Sequence, residues 1–378
     1  MKKFNVMKKK LLIFHPTIAP YRIDFFNELS SEFDTRVCLR YRNLRTQTFD
    51  YDKIASQFSF TPVYQNELFQ IGKRTFSGEF WKNLDEFNPD LVVVEEFSYG
   101  AIMVLLHRFL KRKHYKVVSA CDDSYNMVAE NNDFSRAHRL LRKIVVPKLD
   151  GMILVEPKVT EWYNTNYGKG FCFPIIKPDD KARAEYKRIL PLTNETILTS
   201  GVKGKRVFLF VGRLVALKNV ETVIRAFSRL NQDENVFVVV GDGPERSNLE
   251  NLSLELNANV IFTGRLEGDA LNVWYNIAHV FVLASYQEAF GAVTNEALLA
   301  GCYALISNKA GSSCLVEEGE NGYTFSPMDV GELADKMKCL VELTNPVDKV
   351  VLKPNHMRVS YKKKMVELVN YLKDLTTR

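Results

Sequence analysis

The sequence predicts an α/β protein built from two doubly wound domains in series, and three observations carry that expectation. At 378 residues the chain exceeds what one hydrophobic core usually organises. Short β-branched or apolar runs alternate with longer segments of helical period, the pattern of a mostly parallel sheet with crossover helices. That rhythm pauses once, over Lys177 to Arg206, and then starts again. A hydrophobic content of 46% with 25% charged residues excludes a disordered chain and a multi-span membrane composition.

In the first half the strand candidates are Leu11 to His15, Arg36 to Arg40, Leu91 to Glu95, Lys116 to Ala120, Met152 to Val155 and Phe171 to Ile175. Asp90-Leu-Val-Val-Val-Glu95 has no alternation, as expected of a strand buried on both faces. Lys177 to Arg206 carries prolines, Asn, Thr and two glycines and is expected to be a loosely structured hinge. The second half then runs Val207 to Val211, Val236 to Val240, Val260 to Phe262, Val280 to Ala284 and Tyr303 to Ile306, most followed by a turn signal and a helix. A helix over Gly331 to Leu343 and a last one from about Ser360 to Leu375 complete the chain. The expected domains are 1–176, 177–355, and a C-terminal helix within 356–378 that crosses back to brace the first.

The basic N-terminus is followed by an apolar run of only Leu11 to Phe14, too short for a signal peptide or a membrane span. Six scattered cysteines without a CxxC pair predict a reducing, cytoplasmic setting with no zinc site and no disulfide framework. Net charge is +6, but residues 101–150 hold ten Lys/Arg against five Asp/Glu. Within them Leu105 to Lys113 mixes apolar and cationic residues at helical spacing. Such a segment suits contact with an anionic membrane, or a core-facing helix whose last-turn cations match its dipole.

Three constellations stand at the C-terminal ends of predicted strands, where ligands bind in open α/β sheets. The first is Gly212-Arg213-Leu214 with Lys218-Asn219. A glycine lets the backbone turn, and two cations suit a diphosphate, although a solvated loop can carry two ordinary surface cations. The second is Gly241-Asp242-Gly243-Pro244-Glu245, read mainly as a tight connection; Gly264-Arg265-Leu266 is similar, with a backbone suited to facing a nucleobase. The third is Ser285 to Gly301, a loop carrying Glu288 and then a helix expected to open around Gly291, with Glu296 about a turn and a half in. Free N–H groups at that helix start favour an anion between the two carboxylates, the arrangement a nucleotide sugar needs; read alone, the pair also fits two solvated glutamates.

Glu288 and Glu296, with seven residues between them and Phe290-Gly291 inside, resemble the ExxxxxxxE signature of retaining GT-B glycosyltransferases, in particular glycosyltransferase family 4 (group 1). Gly212-Arg213 and Lys218 are similar to that family's GRxxxxK element, and the resemblance runs over roughly residues 205–345. It implies a GT-B fold, two Rossmann-like domains facing across a cleft, with no metal required. It further implies that Glu288 binds hydroxyls of the donor sugar, Glu296 the ribose, and Arg213 and Lys218 the leaving diphosphate. Gly212, Gly241, Arg265, Leu266 and the backbone of Ala289, Phe290, Gly291 and Ala292 would complete the donor site.

The first half departs from the family pattern. His15-Pro16-Thr17-Ile18-Ala19-Pro20-Tyr21-Arg22 replaces the glycine-rich loop many members carry, and Arg22 reads either as a ligand contact or as a surface residue. Where the family often has a His, Ala120-Cys121-Asp122-Asp123-Ser124 stands. Asp122 or Asp123 is expected to meet sugar hydroxyls, or else to cap a helix or form a turn. Glu95, Glu96 and Tyr99 are further candidates for acceptor contact.

The expected reaction moves a hexose-type residue from a UDP- or GDP-type sugar to a saccharide acceptor hydroxyl, with retention. Asp122 joins Arg213, Lys218 and Glu288 in the expected catalytic set, and no nucleic-acid partner is expected. The basic stretch suggests a lipid-linked saccharide of bacterial surface polysaccharide synthesis at the inner membrane face. The rivals are a sugar-nucleotide epimerase on the same fold, which needs no acceptor, and a non-catalytic relative that binds nucleotide sugars. A dinucleotide-dependent oxidoreductase is disfavoured because neither half shows GxGxxG after its first strand.

Overall fold

Uninterrupted runs of Val, Leu, Ile and Phe give strands with no solvated face, so helices must cover both sides of each sheet. The computed structural model describes residues 8–42, 51–71, 74–77, 79–130 and 135–377. It forms two compact units, Met1–Pro174 with Lys362–Arg378, and Ile175–Tyr361.

The first unit holds strands β1 (Lys10–His15), β2 (Asp34–Leu39) and β3 (Val63–Tyr64), then a separate antiparallel pair, β4 (Glu67–Ile71) and β5 (Arg74–Ser77). Strands β6 (Leu91–Glu95), β7 (Lys116–Cys121), β8 (Gly151–Leu154) and β9 (Gly170–Cys172) follow. Its main sheet is parallel throughout, in the order β3-β2-β1-β6-β7-β8-β9. The core under one face packs Leu12 and Phe14 of β1 with Val92 and Val94 of β6, Val117 of β7 and Leu154 of β8.

The second unit holds β10 (Arg206–Val211), β11 (Asn235–Val240), β12 (Val260–Gly264), β13 (Val280–Leu283), β14 (Tyr303–Ser307) and β15 (Gly322–Phe325). They lie parallel in the order β12-β11-β10-β13-β14-β15. In each unit the first strand sits in mid-sheet, and the chain winds outward first to one side and then to the other. This order opens a crevice at the carboxyl ends of β1 and β6 in one unit and of β10 and β13 in the other.

The C-terminal helix Tyr361–Thr377 belongs to the first unit from Lys362 onward. Tyr371 stacks on Phe171 with ring centroids 4.8 Å apart, and Lys373 donates to Glu32 at 2.9 Å. Gly151 permits this packing, since a Cβ there would lie 2.1 Å from the Tyr371 hydroxyl.

The expected hinge is corrected. Residues 177–206 contain two helices, Asp179–Arg188 and Leu190–Thr199. Their prolines are at the starts, where a missing N–H costs nothing, and the first helix carries Asp179 and Asp180 in its opening turn and Lys187 and Arg188 in its last. Strand β15 escaped sequence reading because Gly322 looks like a turn former. It is in fact a close-approach position, where a Cβ would meet the Ala304 carbonyl oxygen at 1.9 Å.

Candidate functional site

In the second unit the turn after β10 and the turn after β11 are pressed together backbone to backbone. A Cβ on Gly241 would lie 1.8 Å from the Gly212 oxygen, and one on Gly243 would lie 2.3 Å from the Leu214 oxygen. The Gly212 N–H donates to Val240 O at 3.0 Å, and the Leu214 N–H to Asp242 O at 2.9 Å. Gly241 and Gly243 therefore fix the course of the Arg213 turn, and this explains their place beside it.

That turn leaves Arg213 exposed, with no side-chain partner among the described residues. Lys218 ends a short 3-10 turn, Ala216–Lys218, and Asn219 follows at φ 54°, its amide donating to Ala284 O at 3.2 Å and Pro327 O at 2.8 Å. The Asn219 side chain thus ties the Lys218 turn to the end of β13. Lys218 itself forms an ion pair with Glu288, and both groups are mostly buried.

The Glu288 loop is shaped by two more glycines. Gly291 sits at φ 93°, where a Cβ would lie 2.7 Å from Leu283 Cδ2 and 3.1 Å from Ser312 Oγ. Gly311 brings a second loop against the first: its N–H donates to Glu288 O at 3.1 Å, and that of Ser312 donates to Phe290 O at 2.7 Å. The helix begins at Val293, two residues later than expected, and runs to Leu299. N–H groups of Thr294 and Asn295 are taken by Gly291 O and Ala292 O, whereas those of Gly291, Ala292 and Val293 have no acceptor among the described residues. Three backbone donors, Arg213 and Lys218 thus stand on the two loops of one switch point, a combination suited to a phosphate-bearing anion.

Glu296 lies in the first turn of that helix. Its carboxylate accepts from Tyr275 Oη at 3.0 Å and pairs with Lys177 Nζ at 2.5 Å. The Lys177 N–H donates to Asn295 Oδ1 at 2.8 Å. Burial, and then the neighbouring Glu296 charge, push the Tyr275 phenol well above its ordinary value, so it stays a donor. Sequence reasoning missed Lys177 and Tyr275, which lie far from Glu296 along the chain and carry no motif. Arg265 is exposed and bonds Glu267 at 3.0 Å, with Leu266 half-buried beside it.

The equivalent place in the first unit has different chemistry. A cavity of about 150 Å³ at the ends of β1, β6 and β7 is lined by His15, Thr17, Arg22, Glu95, Glu96 and Asp122, among others. One Arg22 nitrogen contacts both Asp122 oxygens, at 2.6 and 2.7 Å. Burial opposes the Arg22 charge, yet the Asp122 carboxylate holds it above its ordinary value. Burial and then Arg22 lower His15 to about 4, so the ring is neutral at pH 7, with Nδ1 facing the Thr17 carbonyl at 2.5 Å. Burial and then Glu95 raise Glu96 to about 8, and Glu95 is raised by burial too. Glu96 holds φ 44°, pinned by its N–H to Ala120 O at 2.9 Å and by Ser119 Oγ to its carbonyl at 2.8 Å.

Asp122 and Asp123 part company here. Asp122 is half exposed at the cavity, whereas Asp123 is 1% exposed and accepts from Tyr163 Oη at 2.6 Å and from Arg142 Nη2 at 3.1 Å. Asp123 joins the segments carrying Arg142 and Tyr163 to the end of β7 and cannot meet a sugar, so that alternative is corrected. The Arg22–Asp122 pair was hidden from sequence reading by the 100 positions that separate its members.

Residues 199–359 match the family described as Glycosyl transferases group 1. An uncharacterised glycosyltransferase of Methanocaldococcus jannaschii is 32% identical over 43% of this chain and 45% of its own length. The sulfoquinovosyl transferase of Arabidopsis thaliana is 31% identical over 38% of this chain and 28% of its own. The chain therefore spans less than half the length of these two relatives. The whole fold is similar to that of Anabaena HepE, solved with UDP and glucose, at a TM-score of 0.72 and 17% identity over 97% of this chain and 100% of that one. Two parallel sheets with flanking helices in this order are the architecture of the GT-B glycosyltransferase structures.

Proposed function

We propose that this chain transfers a sugar from a nucleoside diphosphate sugar to an acceptor hydroxyl. The observation that carries the reading is the second unit's switch point, where unpaired Arg213, the Lys218–Glu288 pair and three free N–H groups occupy the segment matched by the group 1 family. The donor diphosphate takes the N–H groups of Gly291, Ala292 and Val293 and the guanidinium of Arg213. Lys218 turns from Glu288 to phosphate as negative charge builds on the leaving group, and Glu288 is released to the sugar hydroxyls. Glu296, oriented by Lys177 and Tyr275, takes the ribose. The backbone donors and Arg213 stand in place before the reaction, so only Lys218 and Glu288 change partners as the charge develops, and the site's own cations do the work a metal ion does elsewhere.

Solved neighbours holding UDP support a uridine nucleotide as the first donor to try, with GDP sugars next. The acceptor is a saccharide, free or lipid-linked. The first unit's polar cavity, where carboxylates outnumber cations and Glu96 is held protonated, suits hydroxyl groups better than phosphate. Retention follows from attack on the face the diphosphate leaves. The test is transfer from UDP- and GDP-sugars to a glycan acceptor panel in the presence of a chelator, with the product's anomeric configuration read by NMR. Transfer with retention supports the reading. Isomerised donor without acceptor, or no turnover with any pair, contradicts it.

A further inference from the structure

Two helices of the first unit share a surface the proposed reaction does not use. Tyr99–Leu110 connects β6 to β7, and Arg136–Val145 lies in the connection from β7 to β8. Both crossovers step the same way along the sheet, and right-handed crossovers then put both helices on one face. Their inner sides pack on a single core through Leu105 and Leu141, and Arg108 donates to Lys148 O at 2.6 Å, joining the ends of the two connections.

Their outer sides are apolar where a water-facing helix is normally polar. Phe109 is 81% exposed, Leu110 59%, Leu140 58% and Ile144 50%, with Ile102 and Leu106 extending the stripe back along the first helix. Positions 102, 106 and 109 recur at helical spacing, as do 140 and 144, so each helix offers one continuous apolar edge. Cations frame these edges: Lys111, Arg112 and Lys113 follow the first, and Arg136, Lys143 and Lys148 flank the second. Neither 99–114 nor 135–149 contains a single Asp or Glu.

We infer that this two-helix face docks the protein on an anionic membrane surface, the apolar side chains entering the headgroup boundary and the framing cations meeting lipid phosphates. Charge complementarity selects the occupant. A second copy of the chain would set one cationic rim against another, and a nucleic acid would leave Phe109, Leu140 and Ile144 against a polar surface. A bilayer with acidic headgroups satisfies both components at once, and apolar insertion plus electrostatic attraction is how interfacial helices bind. Docking rests on these helices alone and does not depend on the donor reading.

The test is flotation of the full chain with phosphatidylcholine vesicles, with and without phosphatidylglycerol, at low and high salt, alongside light scattering for oligomeric state. Two variants are compared with wild type: Phe109→Asp/Leu140→Asp, and Lys111→Glu/Arg112→Glu/Lys113→Glu. Nucleotide-induced thermal stabilisation, read on the same samples, reports folding and the donor site separately. The expected result is flotation only with anionic vesicles, weakened by salt, and reduced at least about tenfold in both variants. Wild type that does not float, or variants that float equally well, would overturn the inference. So would a wild-type dimer dissolved by Phe109→Asp/Leu140→Asp, which would assign the face to self-association.

Discussion

The two switch points of this molecule are built on the same strand order and yet reach opposite electrostatic outcomes. At β10 and β13, glycines press the turns together, backbone N–H groups stay free, and Arg213 is unpaired. At β1 and β6, glycine is absent from the loop His15 to Arg22, the lining is dominated by carboxylates, and Arg22 is already paired to Asp122. Topology determines where a ligand binds, and turn chemistry determines which ligand it is. On the proposed reading, one switch point takes an anion and the other takes hydroxyls.

The comparison breaks most visibly at the cations. Arg213→Ala is expected to cut turnover by about 10²–10³-fold with little change in melting temperature, because the residue is exposed and unpaired. Arg22→Ala, by contrast, strips a partner from Asp122 and is expected to act on acceptor KM. Steady-state kinetics against each substrate separates the two, and equal effects on donor KM would erase the distinction.

Glycine gives the next largest effect. Gly241→Ala sets a Cβ 1.8 Å from the Gly212 oxygen and is expected to destabilise the chain by at least about 2 kcal/mol while impairing donor binding. Gly168→Ala, at φ 67° in the first unit with open space around it, is expected to lose only about 1 kcal/mol, without touching activity. Urea unfolding of both variants checks the contrast.

Smaller effects should appear in pH dependence. The folded value of Glu96 is raised from 4.5 to about 8, so its protonated form is stabilised by folding. Its contribution is complete below pH 4.5 and is lost as pH rises toward 8; Glu96→Gln should flatten that limb of the stability profile. His15 is lowered from 6.5 to about 4, so its contribution is present above pH 6.5 and is lost as pH falls toward 4. Thermal melts of His15→Asn across that window should show the acid limb reduced. An unchanged profile in either variant would mean that the cavity is not the buried environment described.

Much of the fold was legible because strands buried on both faces leave no alternation to misread, as in Leu91–Glu95 and Val236–Val240. The Gly212-Arg213, Gly241-Asp242-Gly243 and Glu288 to Glu296 elements were legible as local spacing. What escaped was non-local: Lys177 meets Glu296 over 119 positions (296 − 177), and Arg22 meets Asp122 over 100. Prolines at 178 and 191 suggested irregular backbone because Pro marks a helix start as readily as a break, and sequence alone does not distinguish the two.

The central claim is that the second unit binds a nucleoside diphosphate through its own cations and backbone. The most direct measurement is thermal stabilisation by UDP, GDP, ADP and CMP and their sugars, without added metal, on wild type and on Arg213→Ala and Arg22→Ala. The account predicts selective stabilisation by one nucleoside diphosphate, lost in Arg213→Ala and kept in Arg22→Ala. No shift with any nucleotide, or a shift that survives in Arg213→Ala and disappears in Arg22→Ala, would contradict it.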